Sequence, residues 1–159
     1  MTATISRADR RRGALDAIDR YVNAEPTSDR VLQRTADFLH DFFSHYTWVG
    51  IYRVEGNELV LGPWRGPQAT EHVRIPIGEG ICGAAAASGE TEVVDDVTAD
   101  ERYLACFAST ASEIVVPVRF KGEIVGEIDI DSDQPAAFGH DDRAFLEQVA
   151  RLISSRMHD

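Results

Sequence analysis

The sequence predicts an α+β fold, a central antiparallel sheet flanked by helices from both ends of the chain. Three features carry that prediction. Apolar residues recur at helical spacing near both termini. Between them lie β-rich runs joined by tight turns at Gly56-Asn57 and Lys121-Gly122, as hairpins require. One Ala-rich segment, residues 81–88, reads as a short helix inserted among the strands. The chain of 159 residues is long enough for one domain with a real core, and no linker, repeat or low-complexity stretch divides it. The expected layout is one domain over 1–159, with N-terminal helices over about 7–44, sheet and pocket over about 46–133, and a last helix over about 140–157.

The first helix runs from Arg7 to about Val22, with Ala14, Leu15, Ile18, Tyr21 and Val22 on its apolar side. The run Arg10-Arg11-Arg12 sits at the unfavourable end of the helix dipole and reads as a solvated charged turn. Pro26 helps to break the helix, and Thr27 or Ser28 caps a second one carrying Val31, Leu32, Phe38, Leu39, Phe42 and Phe43 as core. Residues 46–54 (YTWVGIYRV) form a strand that returns over 58–62, and residues 62–70, with Trp64, read as a loop. Trp48, Gly50 and Tyr52 share a face. The gap at Gly50 would let the two aromatics wall a pocket, although pattern alone favours two packed core aromatics. Short strands follow at 72–77 and 92–94, then an aperiodic loop over 97–112. The last helix turns Phe145, Leu146, Val149, Ile153 and Met157 inward; spare apolar surface on the terminal helices would suit a homodimer.

Residues 112–132 (SEIVVPVRFKGEIVGEIDIDS) hold the chemistry. Side chains alternate faces along a strand, so Ile114, Val116, Val118, Ile128 and Ile130 form apolar faces. Glu113 falls on the opposite face of its strand, and Glu127, Asp129 and Asp131 share the opposite face of theirs. Carboxylates crowded on one face repel each other and resist burial. Pairing of the hairpin lets Glu113 join Asp129 and Asp131, and such a cluster calls for water, a metal or an organic cation. The reading adopted is the ammonium group of a small ligand. Hard cations favour oxygen donors, but no calcium-type loop is present and no resident metal is expected. Cys82 falls in the first turn of the short helix, where the dipole lowers a thiol's pKa, or else is a small packing residue. Cys106 lies on the long loop just before the acidic hairpin, as a mobile thiol or a buried inert one.

Composition narrows the function. A formal net charge of −11, with Lys121 the only lysine, disfavours nucleic acid and anionic membranes as partners. No apolar run reaches membrane-span length and no signal peptide is evident. Two cysteines fit free thiols in a reducing, cytoplasmic compartment. There is no phosphate-binding loop, no Cys-x-x-Cys pair and no His-Glu-x-x-His motif, and the five histidines are scattered.

The ordered segments WVGIY, LGPW, RIPIGEGICG, GETEVVDDV, ACFAS, SEIVVPV and VGEIDIDS resemble a GAF domain. More narrowly they resemble the free methionine-(R)-sulfoxide reductases, over roughly residues 47–138 with compatible helices beyond. The resemblance implies helices packed on one face of the sheet and a ligand pocket under the small helix and loops on the other. It also implies reduction of free L-methionine-(R)-sulfoxide with no bound cofactor. By that resemblance Cys106 attacks sulfur, Trp48 and Tyr52 line the thioether end of the pocket, and Glu113, Asp129 and Asp131 bind the polar end. Cys82 corresponds to a second cysteine, 24 residues before Cys106, and the family's resolving cysteine, ten positions earlier again, is His72 here. Resolution then falls to Cys82, to a low-molecular-weight thiol or to a thioredoxin-like partner. The alternative is a non-catalytic GAF module that binds a small molecule or senses redox state.

Overall fold

Six strands form one sheet in the order β3-β2-β1-β6-β5-β4, every pairing antiparallel, in a computed structural model that describes residues 4, 6–105 and 107–157. Cys106, singled out above, lies outside the described residues. In chain order the elements are α1 (Arg7–Ala24), α2 (Ser28–Phe42), β1 (Trp48–Glu55), β2 (Glu58–Arg65), β3 (Arg74–Pro76), α3 (Gly80–Ser88), β4 (Glu92–Val94), β5 (Ser112–Phe120), β6 (Glu123–Ser132) and α4 (His140–Ile153). The β5–β6 turn falls at Lys121-Gly122, both with positive φ (52° and 83°), as a tight two-residue hairpin demands. Thr27 caps α2 by accepting from the Arg30 N–H at 3.3 Å.

Period-two alternation splits the sheet into two faces. Val49, Ile51, Ile114, Val116, Ile128 and Ile130 pack against α1, α2 and α4 through Ile18, Leu32, Leu39, Phe145 and Leu146. The opposite face meets α3, where Tyr52, Leu59, Ile75, Ile81, Cys82 and Val115 form a second apolar cluster. Helices on one side and a small helix with loops on the other are as expected.

Three local expectations need correction. β2 runs on to Arg65, where a loop was expected. Its far half pairs with β1 (Val49 opposite Arg65, Gly50 opposite Trp64) after a register shift. β3 pairs only with residues 58–60, so the missing N–H of Pro63 interrupts no ladder on that edge. The arginine run, exposed at Arg10 and Arg12, is tethered as well as solvated. The Arg10 guanidinium stacks 4.6 Å from the Phe42 ring centre and donates to the Phe42 carbonyl, and Arg11 lies 3.8 Å from both Asp141 and Asp142. The last helix is α-helical only to Ile153 and tightens to a 3₁₀ turn over Ser154–Arg156, short of the predicted end near Met157.

Candidate active site

The register of three strands assembles the site. On the α3 face, Trp48 stands opposite Asp131, Gly50 opposite Asp129 and Tyr52 opposite Glu127, while Glu113 stands opposite Asp131 from the other side. The acidic face therefore lies beside the two aromatics. α3 covers it, and the donor atoms of Cys82, Glu113 and Asp129 all lie within 4.8 Å of one another.

Burial decides the electrostatics. Glu113 (4 % exposed), Glu127 (0 %), Asp129 (3 %) and Asp131 (3 %) are all enclosed. Each carboxyl is pushed above its usual range, first by loss of water and, for Glu113, Glu127 and Asp131, next by the charge of Asp129. Glu113 also shares hydrogen bonds with Asp129 and Asp131 that raise it further. Cys82 does sit in the first turn of α3, but its thiol is not activated as the helix dipole alone implied. Burial, then Asp129, Glu127, Glu113 and Asp131, drive its pKa well up.

Tyr52, His72, Ile75, Ile81, Cys82, Leu104, Glu113 and Asp129 enclose a cavity of about 20 Å³, room for one water-sized group. Tyr52 donates to the His72 carbonyl at 2.9 Å, and the His72 ring nitrogen lies 3.3 Å from the Ala105 carbonyl. Leu104 forms the outer wall. It sits so close to Gly80 that a side chain there would strike it, and Gly80 holds φ at +66°. Neither Trp48 nor Asp131 lines this cavity. The expected gap at Gly50 is filled by the Trp48 ring itself, which lies over Gly50 and against Gly66. That ring stacks on Trp64 at 6.1 Å, meets Phe107 at 5.7 Å and donates to the Gln68 carbonyl.

The pattern reading left out Glu127 as a site residue, although alternation already put it in the acid row. Leu104 and Phe107 lie on the aperiodic loop, and their contacts with Gly80 and Trp48, remote in the chain, leave no periodic signal. A second polar centre, also missed, is structural. Buried Asp142 accepts from the Tyr46 hydroxyl at 2.7 Å and the Gly139 N–H at 3.1 Å, and pins the start of α4 to the β1 entry.

A curled antiparallel sheet with helices on one face and a covered acidic pocket on the other is the architecture of a small-ligand-binding module. A GAF domain profile matches residues 27–157, and the chain belongs to the GAF domain family. Within that family the chain is 38% identical over 122 residues to the free methionine-R-sulfoxide reductase of Escherichia coli, covering 77% of this chain and 73% of that protein. It is also 38% identical over 144 residues to protein YtsP of Bacillus subtilis, covering 89% and 80% of the two chains. The X-ray structure of free methionine-R-sulfoxide reductase from Neisseria meningitidis in complex with its substrate superposes with a TM-score of 0.90 at 37% identity, over 99% of this chain and 93% of the other.

Proposed function

We propose that this chain reduces free methionine-(R)-sulfoxide to methionine by thiol chemistry. The observation that carries the reading is the convergence of Glu113, Asp129 and Tyr52 on one enclosed cavity, in a chain similar from end to end to reductases of that name. In this reading the carboxylates of Asp129 and Asp131 receive the substrate ammonium, which a peptide-bound methionine lacks. Trp48 and Tyr52 hold the thioether end. The cavity is far smaller than an amino acid, so substrate entry moves Leu104 off Gly80 and opens the pocket toward Trp48 and Asp131.

Cys106 is the proposed nucleophile. Its chain neighbours touch both sides of the site, Ala105 through His72 and Phe107 through Trp48. The Cys106 thiolate attacks the sulfoxide sulfur while a protonated carboxyl, best Glu113, gives a proton to the sulfoxide oxygen. The oxygen passes to Cys106 as a sulfenic acid, sulfur in the substrate is reduced, and methionine leaves. A second thiol then condenses with the sulfenic acid, releasing water. Cys82 is the internal candidate; otherwise a low-molecular-weight thiol or a thioredoxin-like protein acts directly.

The test is a coupled assay with dithiothreitol on free methionine-(R)-sulfoxide, its S epimer and a peptide-bound sulfoxide. Only the free R epimer should turn over. Inactivity on all three, with tight binding of another metabolite, would replace the reductase by a sensor. A second measurement separates the routes of resolution. Cys82→Ser should lose thioredoxin-supported turnover and keep turnover with excess dithiothreitol. Equal loss with both reductants would reassign Cys82 to packing.

A further inference from the structure

The geometry points to a second ligand class for this pocket: one divalent ion of the zinc type, held by Cys82 Sγ, Glu113 and Asp129. Their donor atoms lie within 4.8 Å of one another and all three residues are buried. An acidic pair beside a thiol is not enough by itself. The independent observation is that Asp129 Oδ1 is buried without a hydrogen-bond partner among the described residues, on a side chain that lines the cavity. That cavity, about 20 Å³, suits a single ion and not an amino acid. His72 lines the same cavity, but its Nε2 lies 3.3 Å from the Ala105 carbonyl and it does not join the donor cluster. A sulfur and two carboxylate oxygens form a mixed donor set that suits zinc, cobalt or cadmium better than calcium or magnesium. An ion there pairs with carboxylates that are otherwise buried side by side.

The ion is a competitor and not a cofactor. It takes Asp129, one of the two carboxylates that receive the substrate ammonium in the reading above, and that part of the inference rests on that reading. The binding itself does not. The test uses freshly reduced protein, freed of added thiol reductant, titrated with Cd²⁺ and followed by the thiolate-to-cadmium absorption band, with Co²⁺ as a second probe. Wild type and Cys106→Ser should show the band at one equivalent, and Cys82→Ser should not. Asp129→Asn, which keeps the thiol, should keep the band with roughly tenfold or more weaker affinity. No band in the wild type, a band lost in Cys106→Ser but kept in Cys82→Ser, or an unchanged affinity in Asp129→Asn would overturn the site. Free methionine-(R)-sulfoxide should displace the ion. A Cys82-dependent band that the sulfoxide cannot displace upholds the metal site and tells instead against the proposed substrate.

Discussion

Glu127→Leu is expected to raise the free energy of unfolding by about 2–4 kcal/mol at pH 8, and by much less at pH 4. Glu127 is 0 % exposed, and the Cys82 thiol, a weak donor, is all that its carboxyl has beside it. It stands between Tyr52 and Pro117 in the sheet, with no cation opposite it. Burial, then Asp129, raises its pKa well above the ordinary value of 4.5. The sign follows from proton binding. Above about pH 4.3 the unfolded chain releases this proton while the folded chain keeps it, so rising pH favours the unfolded state. Each unit of elevation corresponds to about 1.4 kcal/mol, and the loss continues until the pH passes the folded-state pKa. Below the unfolded value both states are protonated and the ionic penalty vanishes.

Glu113, Asp129 and Asp131 are raised as well, so the wild type should be more stable near pH 5 than near pH 8. Asp142 and Glu147 are held below their ordinary range and act in the opposite sense, losing their contribution as pH falls. Urea unfolding at pH 4, 6 and 8 measures both effects. A gain in Glu127→Leu that is equal at all three values, or no gain at pH 8, would show that the carboxyl is not held neutral in the fold.

Cys106→Ser is expected to lower turnover of free methionine-(R)-sulfoxide by about a thousandfold or more, with affinity for the sulfoxide changed by no more than about threefold. A serine hydroxyl is a far weaker nucleophile toward sulfur and cannot carry the oxygen as a sulfenic acid that thiols resolve. Asp129→Asn should divide the other way, with the larger loss in affinity, because it removes charge from the seat proposed for the ammonium. Single-turnover reduction, with binding measured separately by calorimetry, reads the two apart. If Cys106→Ser keeps more than roughly a tenth of the wild-type rate, sulfur attack belongs to another group.

The class of fold and the composition of the pocket floor were legible in the residues alone. Helical periodicity marked α1, α2 and α4, and Lys121-Gly122 fixed the β5–β6 hairpin. Alternation along residues 112–132 put Glu113, Glu127, Asp129 and Asp131 opposite the isoleucines. These are local properties, set by backbone period and turn geometry. Other features depend on who faces whom across the fold. The Trp48 ring fills the space over Gly50, and Leu104 closes the cavity by resting on Gly80. β2 continues through Pro63 because only one of its edges is fully paired.

Cys82 shows the division most sharply. Its place at a helix start argued for a lowered pKa, and that place is correct. The thiol is driven upward instead, because folding takes it out of water and sets it among carboxylates from β5 and β6. A pattern along the chain reports which face a side chain takes. The charge it feels there is set by neighbours remote in sequence, and by how much water is left between them.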